Sequence, residues 1–166
     1  MMLGVGRLPR GNKPILLSRD GLRRNRDVVF NAMIPSSSAQ TYTGGCHCGA
    51  VQFQVRITDF TAIDCNCSIC QKKGFLHCIV EPDQFQLLRG QESLSTYTFN
   101  TGQAQHLFCR HCGIHAFYHP RSHPGKIDVN LRCLDKVKLT DFVIKPFDGR
   151  NWKANIGAIT ERETFN

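Results

Sequence analysis

Short runs in which apolar and polar residues alternate recur from residue 41 onward, and they predict a domain built from β-strands. In the clearest run, residues 51–57, every second residue is apolar, which is the period of a strand with one buried face. Gly, Pro and Asn residues separate the runs. Further strands are predicted at residues 75–80, 85–88, 94–99, 105–108, 114–118, 127–131 and 142–144. Several short strands at this spacing predict a mainly β domain of antiparallel sheets, with one short helix near the C-terminus.

The first 40 residues lack this pattern. They contain three prolines, end near a run of three serines, and show neither a helical nor a strand period. We therefore expect residues 1–40 to form a disordered extension, residues 41–155 to form the folded domain, and residues 156–166 to form a C-terminal tail.

Charge separates the same two regions. Residues 1–40 carry seven Lys or Arg and two Asp, a net charge of +5, which leaves +3 of the total of +8 for the remainder. A basic extension of this kind could be a solvated tail, or it could contact nucleic acid or microtubules through its arginines. A mitochondrial presequence is a third interpretation, and the weak amphipathicity of the segment disfavours it.

The remaining composition is that of ordinary globular proteins, with 41% hydrophobic and 20% charged residues. No stretch approaches the roughly 20 apolar residues that are needed to span a bilayer, so no membrane segment is predicted. There is also no apolar segment of the signal-peptide type near Met1. These features predict a cytoplasmic or nuclear protein.

Seven of the nine cysteines fall into three clusters: Cys46 and Cys48; Cys65, Cys67 and Cys70; and Cys109 and Cys112. A disulfide framework is disfavoured because the total is odd and because cysteines one or three residues apart make poor disulfide partners. Such spacings suit several thiolates on one small cation. The clusters therefore indicate metal binding in a reducing compartment.

Two of the clusters are pairs, and together they can form a closed tetrahedral site. Cys46 and Cys48 would project from the same face of a strand, and Cys109 and Cys112 would lie on a tight turn that Gly113 completes. We call Cys46, Cys48, Cys109 and Cys112 the cysteine quartet. Four thiolates are typical of structural zinc.

The third cluster, the cysteine triplet of Cys65, Cys67 and Cys70, supplies three ligands and leaves a fourth position free. An open position is typical of catalytic zinc, so the clusters together predict two Zn²⁺ ions per chain. Alternatively, a distant side chain completes a second structural site. The residues available for that role are His77, Cys78, His106, His115, His119 and Cys133, although Cys78 and Cys133 are better interpreted as core residues.

Five segments carry a more specific resemblance. They are GGCHCGAV at residues 44–51, DCNCSIC at 64–70, TYTFN at 96–100, FCRHCG at 108–113 and FYHPRS at 117–122. In this order they resemble the family of glutathione-dependent formaldehyde-activating enzymes, and within it the animal branch named for centromere protein V. The likeness covers about residues 42–152.

The resemblance implies an Mss4-like, zinc-stabilised fold in which the quartet holds a structural zinc and the triplet holds a catalytic zinc. It also implies a carbon–sulfur lyase activity, the formation of S-(hydroxymethyl)glutathione from glutathione and formaldehyde, or its reversal. Because glutathione is an anion, cations should line its site, and the candidates are Lys72, Lys73, Arg110 and Arg121. The alternative function is a zinc-stabilised chromatin- or microtubule-binding module without catalysis.

Overall fold

The computed structural model describes residues 38–160, so most of the predicted N-terminal extension lies outside the described residues. The strands are β1 (Gln40–Gly45), β2 (Gln52–Ile57), β3 (Thr61–Cys65), β4 (Leu76–Val80), β5 (Phe85–Arg89), β6 (Leu94–Tyr97), β7 (His106–Cys109), β8 (Phe117–Tyr118), β9 (Ile127–Asn130) and β10 (Val143–Phe147). The helices are α1 (Ser68–Lys73), α2 (Trp152–Asn155) and α3 (Gly157–Thr160). Short 3-10 turns lie at Pro82–Gln84, Gln91–Ser93, Leu131–Cys133, Leu139–Asp141 and Gly149–Asn151.

The strands form three sheets. One has the order β1-β2-β5, a second has the order β10-β3-β4-β9-β8, and β6 and β7 form a two-stranded ribbon. Within the described range, every strand pair is antiparallel except β10 with β3, which is parallel. The prediction of a mainly β fold with little helix is confirmed. In this part of the chain no helix is long and apolar enough to cross a bilayer.

The two faces of the five-stranded sheet differ. In its central strand, β4, Leu76, Cys78 and Val80 belong to the hydrophobic core, which confirms that Cys78 is a core residue. The residues between them, His77 and Ile79, line a cavity on the opposite face. This division follows from the alternation of side chains along a strand.

Phenylalanines join the five-stranded sheet to the three-stranded sheet. The ring centroid of Phe53 on β2 lies 5.3 Å from that of Phe85 on β5 and 5.8 Å from that of Phe117 on β8. Phe85 and Phe117 are 4.7 Å apart. Offset and edge-on contacts at such distances add to the stabilisation from burial alone. This packing anchors one face of the five-stranded sheet and leaves the other face available for a site.

Candidate metal centres and the adjoining cavity

The four cysteines of the quartet converge although their two pairs are about sixty residues apart in the chain. Cys46 and Cys48 lie in the turn that follows β1, rather than along a strand as expected. The turn is closed by the Gly49 amide, which donates to the Cys46 carbonyl oxygen at 3.1 Å, and Gly49 has a positive φ of 76°. A turn, which reverses the chain, brings both thiols to one point without the alternation of a strand.

The second pair of the quartet lies at the end of β7. The Gly113 amide donates to the Cys109 carbonyl oxygen at 2.8 Å, and Gly113 has a positive φ of 75°, as predicted for the exit of a tight turn. The Cys109 side chain is buried, with 1% of its surface exposed. This turn presents Cys112 beside Cys109 and opposite the first pair.

The sulfur positions of the quartet fit a tetrahedral metal ion. The Sγ of Cys48 lies 3.5 Å from that of Cys46 and 3.6 Å from that of Cys109. Four thiolates at a Zn–S distance of about 2.3 Å would place their sulfurs roughly 3.8 Å apart. The Val51 amide also donates to the Cys46 Sγ at 3.3 Å, which stabilises a thiolate. The quartet could therefore hold a metal ion with little rearrangement.

The triplet is assembled where β3 passes into α1. Cys65 ends β3, Cys67 is the residue that caps α1, and Cys70 lies within that helix. Their three sulfurs all lie within 4.8 Å of one another. Among residues 38–160, no further His, Cys, Asp or Glu belongs to this group. The donor set thus fits a metal ion with an open fourth position.

The pKa shifts of the triplet thiols show why this group suits a cation. Thiol donation from Cys65 and then Cys70 lowers the pKa of Cys67 far below its ordinary value, while the neighbouring Cys65 and Cys67 raise the pKa of Cys70. Three such close sulfurs can share one negative charge, but they repel one another when all are thiolates. A divalent cation removes that repulsion and favours all three thiolates together.

A cavity of about 450 Å³ opens beside the triplet. The sheet contributes Ile63, His77, Ile79, Tyr118 and Asp128; the segment after β6 contributes Phe99, Asn100, Thr101 and Ala104; and the C-terminal part contributes Phe147, Gly149, Arg150, Trp152 and Ile159. A cavity of this size suits a small-molecule ligand, and such sites are commonly mostly apolar with a few polar groups.

A buried histidine–aspartate pair lines the cavity. The His77 Nδ1 lies 2.8 Å from the Asp128 Oδ2, and the two side chains are 6% and 2% exposed. The remaining polar atoms of the pair, His77 Nε2 and Asp128 Oδ1, have no hydrogen-bond partner. Burial, followed by the negative charge of Asp128, raises the pKa of the neighbouring Tyr118 well above its usual value. Tyr118 is therefore a neutral phenol.

Stacked rings form another wall. His106 stacks on Phe99 with ring centroids 5.4 Å apart and on Tyr118 with centroids 5.0 Å apart. The Lys73 Nζ lies 3.0 Å from the His106 Nδ1. Burial and then the charge of Lys73 lower the pKa of His106 to about 4, and burial lowers the pKa of Lys73 to about 8. His106 is accordingly a neutral, packed ring near pH 7.

Only one of the four predicted cations lines the cavity. Arg121 lies there, with its guanidinium carbon 4.0 Å from the centroid of the Trp152 ring. Arg110 instead donates to the carbonyl oxygen of Leu94 at 3.1 Å, and neither Lys72 nor Lys73 is part of the cavity wall. Arg150, which the sequence did not single out, lines the cavity instead.

Arg150 also links the triplet to the C-terminal part of the chain. Its Nε donates to the Asn66 carbonyl oxygen at 3.2 Å, and its terminal nitrogen donates to the Gln71 Oε1 at 3.0 Å. The Asn66 side chain in turn donates to the Asp148 Oδ1 at 3.0 Å. The segment that carries the triplet is thereby fixed against the residues after β10.

Comparison with known proteins adds two findings. The family model described as "Glutathione-dependent formaldehyde-activating enzyme" matches residues 41–147. A crystal structure of a Rhodobacter sphaeroides protein is similar at 34% sequence identity and a TM-score of 0.57, and the match covers 62% of this chain and 99% of that one. The similarity supports the Mss4-like arrangement of sheets predicted above.

Proposed function

Because the chain belongs to the family of glutathione-dependent formaldehyde-activating enzymes, we propose that it is a zinc-dependent carbon–sulfur lyase. Its substrate is the adduct of a thiol and a small aldehyde, such as S-(hydroxymethyl)glutathione. In the synthetic direction a C–S bond forms between the thiol and the aldehyde carbon, and the thiol proton is transferred to the aldehyde oxygen. The reverse reaction breaks the same bond.

The observation that carries this proposal is the position of the triplet at the wall of a cavity. Three thiols that served only to stabilise the fold would need no adjoining space, whereas here they meet a cavity of about 450 Å³. None of the quartet cysteines lines this cavity, and none lines the second pocket beside Tyr42 and Asp135. The site is thus built for access by a small molecule.

Both cysteine groups fit Zn²⁺ by their donor chemistry, and we propose two zinc ions per chain, one in the quartet and one in the triplet. When bound at the triplet, zinc would supply the positive charge that favours a thiolate or polarises a carbonyl group. The protein's own side chains would bind and orient the substrate.

Arg121 and Arg150 are suited to orient an anionic thiol. Guanidinium groups bind carboxylates through paired hydrogen bonds, and glutathione carries two carboxylates. Arg121 is held over the Trp152 ring, and Arg150 is held by Asn66 and Gln71, so both cations are positioned in advance. Positioned cations lower the entropic cost of binding the substrate.

The test compares the wild type with Cys67→Ser and with the matched control Cys133→Ser, a half-buried cysteine outside both groups. Exchange of ¹³C-formaldehyde into S-(hydroxymethyl)glutathione would be followed by NMR, with zinc content measured on each protein. We expect two zinc ions and accelerated exchange in the wild type and in the control, and one zinc ion without acceleration in Cys67→Ser. Equal exchange rates with and without the wild-type protein would contradict the proposed activity.

We also propose that the chain lies in the animal branch named for centromere protein V, because the five motifs from residue 44 to residue 122 resemble those of that branch and occur in the same order. A cytoplasmic or nuclear location accords with seven closely spaced thiols, which persist as metal ligands in a reducing compartment.

A further inference from the structure

We propose that His77, oriented by Asp128, is the proton-transfer group of this cavity. In the synthetic direction the His77 Nε2 accepts the proton of the incoming thiol and returns it to the oxygen of the former aldehyde. In the reverse direction it takes the hydroxyl proton of the adduct and delivers it to the leaving sulfur. This inference rests on the proposed function and assigns residues to its proton transfers.

The unpaired atoms of the pair are the first argument. His77 and Asp128 have 5% and 1% of their surfaces exposed, yet one nitrogen and one oxygen lack a hydrogen-bond partner. Buried polar groups are almost always satisfied, and an exception calls for a ligand, a water molecule or a catalytic role. Because both residues line the cavity, a ligand in the cavity could satisfy them.

The orientation of the imidazole is the second argument. The Asp128 Oδ2, at 2.8 Å from the His77 Nδ1, favours a proton on Nδ1 and leaves Nε2 as a proton acceptor. The two residues come from adjacent strands, β4 and β9, which pair in register from His77 with Asn130 to Val80 with Ile127. A sheet holds such a pair more rigidly than a loop would.

The other titratable groups of this wall are less suited to the role. His106 has its Nδ1 engaged by Lys73, and burial lowers its pKa to about 4. Tyr118 is a neutral phenol whose pKa burial raises further. Tyr118 lies against His77 with ring centroids 6.0 Å apart, and Asp128 is the hydrogen-bond partner of His77. His106, with Lys73 beside it, stacks on the Tyr118 ring.

The proton balance of the reaction requires such a group. Addition of a thiol R–SH to an aldehyde forms one C–S bond and converts C=O into C–OH, so one proton leaves sulfur and one reaches oxygen. No electrons are gained or lost overall. A single imidazole can perform both transfers in turn, because the proton that it accepts in the first transfer is the one that it gives up in the second.

The experiment uses the full-length, zinc-loaded protein and compares His77→Gln with the matched control His115→Gln. His115 is a half-buried histidine outside the cavity wall whose Nδ1 lies 2.9 Å from the Leu107 carbonyl oxygen. With glutathione and formaldehyde as substrates, we expect His77→Gln to lower kcat by about a hundredfold or more, the usual effect of losing a general acid–base group. The control should stay within about twofold of the wild type, and both variants should keep two zinc ions.

The pH–rate profile and a chemical rescue separate a catalytic role from a structural one. The limb of the profile that the imidazole contributes should disappear in His77→Gln, and added imidazole should restore exchange in His77→Gly. Asp128→Asn should lower kcat with little change in KM. If folded, zinc-loaded His77→Gln kept the wild-type kcat and profile, the inference would be overturned while the proposed lyase activity stood.

A binding measurement distinguishes failure of the proposed function from failure of the inference. If the wild type did not accelerate exchange, the lyase proposal would fail, and the ¹⁵N signals of His77 and His115 would be followed during addition of S-(hydroxymethyl)glutathione. A change confined to the His77 Nε2 would support its contact with the adduct. Unchanged signals at both histidines would overturn the assignment.

Discussion

Gly149 sets the space that is available to the triplet. A side chain at this position would collide with the Cys65 Sγ and lie 3.0 Å from the Cys67 Cβ. The glycine is buried in the 3-10 turn that follows β10, so the backbone cannot easily withdraw toward solvent. The absence of a side chain at this one position therefore lets the C-terminal segment pack directly on two thiols of the triplet.

Gly149→Ala should accordingly displace these thiols and release the metal ion of the triplet, while the quartet keeps its own. We expect the zinc content to fall from two to one with the β-sheet spectrum retained. Gly125→Ala is the control, because Gly125 has a positive φ of 86° and open space around it, so alanine strains the turn without crowding a thiol. A full complement of zinc in Gly149→Ala would contradict the role assigned to Gly149.

Individual residues differ in how far the sequence predicts them. The cysteine spacing predicts both metal-binding groups because ligands of one ion must be close in space, and here they are also close in sequence. The sequence indicated the role of Asp128 less clearly, because Asp128 is a single carboxylate between apolar residues of a strand. Its pairing with His77 depends on the register of β4 and β9. Arg150 carried no signal, since its position follows from where β10 ends.

Among the elements, most predicted strands are found within a few residues of their expected bounds. The sequence missed β1 and β3, and it missed α1. α1 is only six residues long and is capped by Gly74, which has a positive φ of 59°, so its helical period is too short to recognise. The parallel pairing of β10 with β3 also escaped prediction, because strand order depends on the path of the whole chain.

The two cysteine groups should contribute unequally to the stability of these elements. The quartet joins the turn after β1 to the end of β7, whereas the triplet lies within the single β3–α1 connection. A structural zinc site contributes roughly 10–16 kcal/mol in apparent binding, which exceeds or matches the total stability of about 5–15 kcal/mol typical of a domain. A zinc ion held by the quartet would therefore stabilise the protein by enough to decide whether the domain folds.

We expect Cys109→Ala to unfold the domain and Cys67→Ala to leave it folded with one zinc ion. Far-ultraviolet circular dichroism and zinc analysis of both variants, purified under reducing conditions, would measure this difference. Loss of the β-sheet spectrum in both variants would show that the triplet is structural as well.

For the whole molecule, the basic N-terminal segment and the domain are predicted to be separable. The described hydrophobic clusters draw their residues from Tyr42 to Ile159, and the first 37 residues offer no periodic apolar face in the sequence. The net charge of +5 on that segment instead favours salt-dependent attraction to a polyanion.

Deletion of residues 1–37 should leave the melting temperature and the zinc content unchanged and should weaken retention on heparin. A parallel deletion of residues 161–166, which removes one Arg and two Glu, serves as the control for shortening the chain. Undiminished heparin retention after the N-terminal deletion would place the polyanion contact on residues 38–166.

The position of Gly149 after all seven clustered cysteines also has a consequence for biosynthesis. A ribosome releases the last quartet ligand, Cys112, well before it releases Gly149, Arg150 and Trp152, which complete the cavity beside the triplet. Domains begin to fold while the remainder is still being made. The four thiols of the quartet can thus come together on the nascent chain before the residues after β10 cover the triplet, whose thiols are made earlier still.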